Sequence, residues 1–409
     1  MKILQLMPYY NPEQFSSAHL FNDLEQSMAE LGFSLHVITP TPTRGVSNET
    51  RAEYKKRRTE LRHGGAVRIA RFSLFGEGKN VLLRAVRYLL CNVIEYSKAC
   101  RIKDADVIFS VSTPPTQGLL AAMVKKRLKI PFVYNLQDVF PDSLVTTGLS
   151  KEGSFLWKIG RKIENFTYKH ADRIVVVSEN MKQNLLNKGV PEHKLSVCYN
   201  WVDDSAVTPV SASDNRILDE LSLDKSKFYV TYAGNLGESQ NIEVMLGAAA
   251  LLRGRSDISF LIFGSGGNEE KYKAEARQMQ LDNVRFFPIQ PYNRVSEVYS
   301  LGAVSLVSCK KGAGKSALPS KTWSIMSAGT AVLAAFDKDS ELDEIITRNN
   351  CGICVNPDDP ERLAEAVEEL YRNSSLCVKM GENGRRFVTE HLGKSAGTGH
   401  YIDVFNSLL

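Results

Sequence analysis

The sequence predicts an α/β protein made of doubly wound parallel sheets, and two stretches carry that reading. The chain opens as strand, loop, helix, strand: KILQL at 2–6, a loop containing Pro and Asn, an amphipathic helix over 17–31 closed by Gly32, and a second strand over Leu35–Thr39. Residues 303–346 repeat that grammar, with an apolar strand at Ala303–Ser308, a basic glycine loop at Gly312–Lys315, a helix entered through Pro319 and stopped by Gly329, and a strand at Ala331–Phe336. Ligands of such folds gather where the strands end at their C-terminal side.

Length and composition suit a globular enzyme of two or three domains, at 409 residues, 43% apolar and 24% charged. The apolar part of MKILQLMPYY is too short for a signal segment, and no run of about eighteen uncharged apolar residues occurs, so a cytoplasmic location is expected. Seven scattered cysteines suggest no disulfide framework. Cys351-Gly-Ile-Cys354 is a C-x-x-C, but it opens a strand and has no second pair, so metal or redox use is not expected of it. The net charge of +5 is mild, and its distribution matters more than its size.

The loop from Tyr9 to Ser17 should face the ligand crevice of the first sheet. Glu13, Ser16 and Ser17 are candidates there for contact with a ligand, and Ser16 and Ser17 are equally candidates for capping the helix. From Thr41 to Phe75 the chain is strongly basic, and the following VLLRAVRYLLCNVIEYSKACRIK carries Leu82, Leu83, Val86, Leu89, Leu90, Val93 and Ile94 at helical spacing. Two readings stay open: a helix packed on the core with Arg84, Arg87 and Lys98 solvated, or an apolar stripe with clustered cations that meets a membrane surface. Nucleic acid is not expected, for want of interleaved aromatics or a binding motif. A strand at Asp106–Ser110, a helix over 116–128 and the strand of PFVYNLQDVFPDSL follow. The last delivers Gln137, Asp138 and Asp142 into a loop, where carboxylates meet substrate or, for Asp138, cap the next turn. A helix over 153–170 and the strand RIVVVS continue the pattern.

In 303–346 the loop and helix start would place Lys315, Ser316, Ser320 and Lys321 around one spot, suited to a phosphate or pyrophosphate. Asp337–Glu341, after the second strand, offers carboxylates to sugar hydroxyls. Gly314-Lys315-Ser316 invites comparison with a nucleotide-triphosphate loop, but the position five before Gly314 is Cys309 and Pro319 delays the helix. A plain surface loop with three lysines is the remaining alternative.

HADRIVVVSENMKQNLLNKGVPEHKLSVCYNWVD, residues 170–203, resembles the run that closes the first domain of family 4 glycosyltransferases of the two-domain GT-B type. Its marks are the Ala-Asp before the strand, the Ser178 that ends it, the Lys188-Gly189-Val190 turn and the Asn200–Asp203 block. FYVTYAGNLGESQNIEVMLGAAALL, the strand and turn ending in Gly264-Ser-Gly-Gly267, and VRFFPIQPYNRVSEVYSLGAVSLV are similar to successive elements of that family's second domain. With 303–346 the resemblance covers nearly the whole chain in order.

The resemblance implies Rossmann-like domains over 1–204 and 227–390 facing across a cleft, a linker over 205–226, and a helix in 391–409 crossing back. The chain departs from the pattern in several places. The loop's usual basic pair falls on Asn235 and Gln240, the two glutamates seven apart on Ser316 and Ser324, and the histidine after the first-domain strand on Gln137. Lys315 and Lys321 would then supply the positive charge, and Glu341 or Glu344 the sugar contacts. Base and ribose are expected near Ile289 and Glu341, phosphates near Asn235, Gln240, Lys315, Ser316 and Lys321, and acceptor near Glu13, Ser16, Ser17, Asp138 and Asp142. The implied catalytic group is Lys321, Lys315, Gln137 and Asp138. The implied chemistry is metal-independent, retaining transfer from a UDP-sugar, without cofactor. The Asn-Trp-Val-Asp and Pro-Ser-Lys-Thr-Trp-Ser-Ile-Met blocks resemble a bacterial subgroup moving N-acetyl-L-fucosamine or a related deoxyamino sugar onto an undecaprenyl-pyrophosphate-linked sugar, which implies peripheral contact with the inner membrane.

Overall fold

The computed structural model describes residues 1–13, 18–76, 81–146, 150–314 and 318–408. They form two compact units, Met1–Tyr199 with Thr398–Leu409, and Asn200–Gly397. The first unit runs β1 (Lys2–Leu6), α1 (Ala18–Glu30), β2 (Ser34–Pro40), α2 (Asn48–Lys56), β3 (Thr59–Arg62), β4 (Val67–Phe72), α3 (Val81–Ala99), β5 (Val107–Val111), α4 (Thr116–Leu128), β6 (Phe132–Leu136), α5 (Asp142–Thr146), α6 (Phe155–His170), β7 (Arg173–Val176), α7 (Glu179–Asn187) and β8 (Leu195–Val197). Its sheet has the order β3-β4-β2-β1-β5-β6-β7-β8, parallel except for the β3–β4 hairpin. Every residue of β5 and β6 is buried, as strands covered by helices on both faces require. The order reverses between β1 and β5, so the loops leaving those strands open the ligand crevice of this sheet.

The second unit contains α8 (Arg216–Glu220), β9 (Phe228–Asn235), α9 (Glu243–Leu251), β10 (Ile258–Ser265), α10 (Glu269–Gln278), β11 (Val284–Phe287), α11 (Val295–Tyr299), β12 (Val304–Ser308), α12 (Lys321–Ser327), β13 (Ala331–Ala335), α13 (Glu341–Arg348), β14 (Gly352–Val355), α14 (Pro360–Arg372) and α15 (Ser374–Phe387). Its parallel sheet has the order β11-β10-β9-β12-β13-β14, with the reversal between β9 and β12. The last helix, α16 (Lys394–Asn406), begins in the second unit and has its remaining residues in the first, where the Phe109 ring meets those of Tyr401 and Phe405 at 6.0 and 5.4 Å.

Residues 205–226, expected as a linker, are packed into the second unit. Ile217, Leu218 and Leu223 are buried beside Tyr229, Leu261 and Phe263, and the N–H groups of Thr208 and Val210 donate to Ser296 and Ser300 at 3.1 and 3.0 Å. The basic stretch 41–75 also holds more order than its composition suggests. It contains α2, β3 and β4, and the Arg71 side chain is buried against the Tyr54 ring, 3.6 Å from Glu60.

Of the two readings of the α3 stripe, the structure does not take the core-packed one: the stripe is turned outward. Val86, Leu89, Leu90 and Val93 are 48, 60, 44 and 66% exposed, while Arg87, Cys91, Glu95 and Ala99, four residues apart, form the buried ridge. The Arg87 guanidinium donates to the Phe75 carbonyl at 3.2 Å and to the Thr43 hydroxyl at 3.1 Å. Glu95 accepts from Gln117 of α4 at 2.6 Å, and burial pushes its carboxyl up to about 8. Of the remaining stripe residues, Leu83 is 55% exposed, Ile94 is half-buried, and the Leu82 side chain lies outside the described set.

Helix α15 crosses the end of α12 through glycine. A Cβ on Gly381 would lie 1.9 Å from the Gly329 carbonyl oxygen, whereas one on Gly399 in α16 would meet nothing within 4 Å. Gly381→Ala is therefore expected to lower unfolding free energy by about 2 kcal/mol or more, and Gly399→Ala to raise it by about 0.5–1 kcal/mol. Urea unfolding of both variants checks this, and equal effects would contradict the backbone contact.

Candidate functional site

The strand reversal of the second unit sets β9 beside β12, and the loops leaving them are tied together. Ser308 donates to the Gln240 carbonyl at 2.5 Å, and Lys310 N–H to the Ser239 carbonyl at 3.0 Å. Asn241, in the left-handed region at φ 48°, is buried and donates from its amide to the Pro357 carbonyl at 2.7 Å. Lys310 and Glu238 form an exposed ion pair across the same loops. Asp337, expected to hold sugar hydroxyls, instead receives the N–H groups of Gly312 and Gly314 at 2.9 and 2.8 Å, fixing the glycine loop to the end of β13.

Lys321 opens α12 and reaches into this corner. Its Nζ sits 4.0 Å from the centroid of the Tyr232 ring and is shut off from solvent, although the stem is partly exposed. Among the described residues the ammonium has no hydrogen-bond partner, and burial alone depresses its pKa to about 7. Tyr232 in turn donates to the Asn235 carbonyl at 2.7 Å, which fixes its ring. Gly234 has φ 146°, and a Cβ there would lie 3.1 Å from the lysine Nζ, so both backbone and space call for glycine. A buried cation with unused donors, facing the C-terminal end of a parallel strand, is suited to an anionic ligand.

The structure brings several expected donor residues around that point. Asn235 ends β9, and its amide donates to the Gln240 side chain at 3.2 Å. Gly264 pairs with Gly234 across β10 and β9. A side chain there would strike the Gly234 carbonyl at 2.4 Å, so this glycine serves close strand packing. Ser320 precedes Lys321 and is exposed, and Ser324 lies one turn further along α12. Lys315 and Ser316 lie outside the described residues, as do Ser16 and Ser17 of the first unit. Ile289, 59% exposed, follows β11, whereas Glu341 is buried at the start of α13 and Glu344 is exposed one turn later. Strands β11 and β13, whose C-terminal ends lead to Ile289 and Glu341, stand on opposite sides of β9. Tyr232, Gly234, Asn241 and Ser308 were not singled out from sequence; the Gly234-Asn235 strand end was the available signal.

In the first unit, two expected acceptor residues are engaged elsewhere. Glu13 is 2% exposed and receives the N–H groups of Thr43, Arg44 and Tyr10 at 2.7, 2.9 and 3.2 Å, so it holds two loops together rather than a ligand. Burial raises its carboxyl above the usual range against the pull of those donors. Asp142 pairs with Lys188, the residue that follows α7, at 2.7 Å, and Lys188 also meets Glu164 at 2.9 Å, which makes Asp142 a structural ion-pair member. Gln137 is anchored by its N–H to Ser112 at 2.9 Å and by its amide to Asn135 at 2.9 Å, and Asn135 bonds Tyr401. Asp138 is exposed at the end of β6. Among the described residues, no three His, Cys, Asp or Glu side chains are grouped as metal ligands would be, and Cys351 and Cys354 are free thiols.

Two units, each built on a largely parallel sheet whose strand order reverses once, make up the α/β GT-B glycosyltransferase fold. Residues 19–206 match the model described as Glycosyltransferase Family 4, and residues 213–387 the one described as Glycosyl transferases group 1. The chain is thus a group 1 glycosyltransferase. Over 96% of its length it is 26% identical to 97% of Escherichia coli (strain K12) WcaI, a glycosyl transferase provisionally assigned to colanic acid biosynthesis. Over 66% it is 28% identical to 67% of Pseudomonas aeruginosa WbjE, also provisionally named a glycosyltransferase. The fold superposes on all of Anabaena HepE, solved with UDP-glucose, with a TM-score of 0.70 at 15% identity over the whole chain.

The depressed pKa of Lys321 sets a pH dependence in the ligand-free protein. Between about 7 and the ordinary lysine value of 10.5 the unfolded chain holds a proton that the folded chain lacks. Stability from this residue is therefore lowest below pH 7, rises with pH across that window and levels off above it. Lys321→Met removes the titration. The variant is expected to be the more stable at pH 6.5, with its advantage narrowing by pH 9.5 in urea unfolding; a constant difference would show that Lys321 does not titrate there.

Proposed function

We propose that the protein transfers a sugar, N-acetyl-L-fucosamine or a related deoxyamino sugar, from UDP to an N-acetylglucosamine-type sugar on undecaprenyl pyrophosphate in bacterial surface polysaccharide synthesis. The observation that carries the donor part is the buried, unpartnered Lys321 ammonium at the end of β9. A UDP pyrophosphate supplies the negative charge that this group lacks, and a charge-assisted hydrogen bond of this kind contributes about 1.5–3 kcal/mol. The UDP-glucose in HepE and the polysaccharide role in the name of WcaI support the donor class and the pathway class.

In this reading the second unit binds UDP-sugar, with Asn235 and Gln240 near the phosphates beside Lys321. As the bond to the anomeric carbon breaks, charge grows on the departing phosphate oxygen, and Lys321, protonated when the anion is present, stabilises it. The site does this by being charged and dry beforehand rather than by reorganising. The leaving oxygen takes the acceptor proton on the same face, so configuration is retained and no metal or cofactor is invoked. With Glu13 and Asp142 engaged in structure, the acceptor side rests on Asp138 together with Ser16 and Ser17, which lie outside the described residues, while the anchored Gln137 offers its amide to the donor sugar. The lipid-linked acceptor would draw the protein to the inner membrane surface.

A panel of UDP-sugars tested with a synthetic lipid-pyrophosphate N-acetylglucosamine acceptor is expected to give acceptor-dependent product for one donor, with retained configuration, and activity unaffected by EDTA. UDP released equally with and without acceptor would favour an epimerase or hydrolase instead. Lys321→Ala is expected to weaken UDP binding by about 10- to 100-fold. At pH 8, calorimetry in buffers of different ionisation enthalpy should show proton uptake on UDP binding by wild type and none by Lys321→Met. Uptake unchanged in the variant would remove Lys321 from the phosphate site.

A further inference from the structure

We infer that the outward faces of α3 and α6 form one docking surface for an anionic lipid bilayer. This deepens the membrane part of the reading above but stands apart from the donor chemistry. Helix α3 carries its polar residues inward and its aliphatic ones outward. Arg87 and Glu95 are fully buried, while Val86, Leu89, Leu90 and Val93 are exposed. On α6, Phe155, Leu156 and Ile159 are 81, 52 and 41% exposed. Helix α4 lies against both: Asn92 of α3 donates to the Thr116 carbonyl at 3.2 Å, and Gly118 lies so close to α6 that a Cβ there would meet Thr167 at 2.5 Å. Its own Met123 is 44% exposed. An exposed apolar area spread over adjacent helices marks a binding surface.

Charge selects the occupant. The only carboxylates on the three helices, Glu95 and Glu164, are buried, whereas Lys126, Arg127, Lys158 and Lys162 are exposed. Within these helices the outward face therefore offers solvent aliphatic groups and cations and no exposed carboxylate, with Glu152, just ahead of α6, lying outside them. A second copy of the same face would set cation against cation. Anionic headgroups over acyl chains complement both features at once. Position agrees with this. In a parallel sheet a crossover helix starts at the C-terminal end of a strand, so the exposed Leu83 of α3 and Phe155 and Leu156 of α6 lie at the end of the sheet that carries Gln137 and Asp138. A lipid-linked acceptor held in that bilayer would present its sugar at the same end.

Co-sedimentation of the full chain with phosphatidylcholine vesicles, with and without phosphatidylglycerol, tests the assignment. Wild type is expected to bind the phosphatidylglycerol vesicles, weaken with added salt and bind phosphatidylcholine alone poorly. Leu89→Ser with Val93→Ser, and separately Lys158→Glu with Lys162→Glu, should each reduce partitioning by about tenfold, with unchanged melting temperature and unchanged UDP affinity. Wild type that ignores anionic vesicles, or variants that bind them as well as wild type, would overturn the proposal. So would a wild-type dimer in gel filtration that the Leu89/Val93 variant abolishes. Vesicle binding without any sugar transfer would leave the surface standing and sink the transferase substrate reading instead.

Discussion

A parallel sheet delivers the C-terminal end of every strand to one edge, and each unit of this chain is arranged around that constraint. Where the strand order reverses, neighbouring crossover helices leave on opposite faces and the loops are not roofed by a helix. In the second unit that gap lies between β9 and β12, and the contacts of Ser308, Asn241 and Asp337 all act to brace the loops beside it. None of these three fills the gap with its own side chain. The bracing ties together the loops beside that gap, and Lys321 reaches into the same corner from the start of α12.

Buried charge is handled differently in the two units. In the first, Arg71 faces Glu60, Lys188 meets both Asp142 and Glu164, and Arg87 lies near the Glu13 and Glu95 carboxylates on one connected set of loops and helices. The ions around Arg71 and Lys188 compensate each other, and removing one partner would leave the other stranded. Lys321 has no such counterpart among the described residues, and an aromatic face is its main neighbour. A structural ion pair is complete without a ligand, whereas an isolated ammonium held near neutrality by dehydration is complete only with one. That contrast, rather than the count of lysines in the loop, is what supports Lys321 in the phosphate-site proposal.

The alternation of strands and helices was legible because local signals agreed with the fold. Thr116–Leu128 has the bounds read from its pattern, and Gly329, at φ 69°, stops α12 as its position suggested. The place of Lys321 at the start of α12 was also legible, through Pro319 and the neighbouring strand. What sequence could not give was pairing over distance. Asp142 meets Lys188 forty-six positions on, and Glu13 meets backbone N–H groups thirty and thirty-one positions on, so both looked like free loop carboxylates. The segment 205–226 read as a linker because its few apolar residues are outnumbered, although three of them anchor it.

Helix α3 shows a separate limit of pattern reading. Periodicity fixes which residues share a face but not which face is inside, and hydrophobicity alone assigns the aliphatic one to the core. Here the choice is made by polar contacts from outside the helix. Thr43 accepts from Arg87 while its own N–H donates to Glu13, and Gln117 of α4 donates to Glu95. Rolling the helix to bury Leu89 and Val93 would break these contacts and draw Arg87 and Glu95 from their partners. The rotation of α3 is thus locked by the same Glu13 and Thr43 that fasten the loops leaving β1 and β2. Through that lock, the loop at the strand reversal and the outward aliphatic face are set by one hydrogen-bond network, so the geometry of one cannot change without the other.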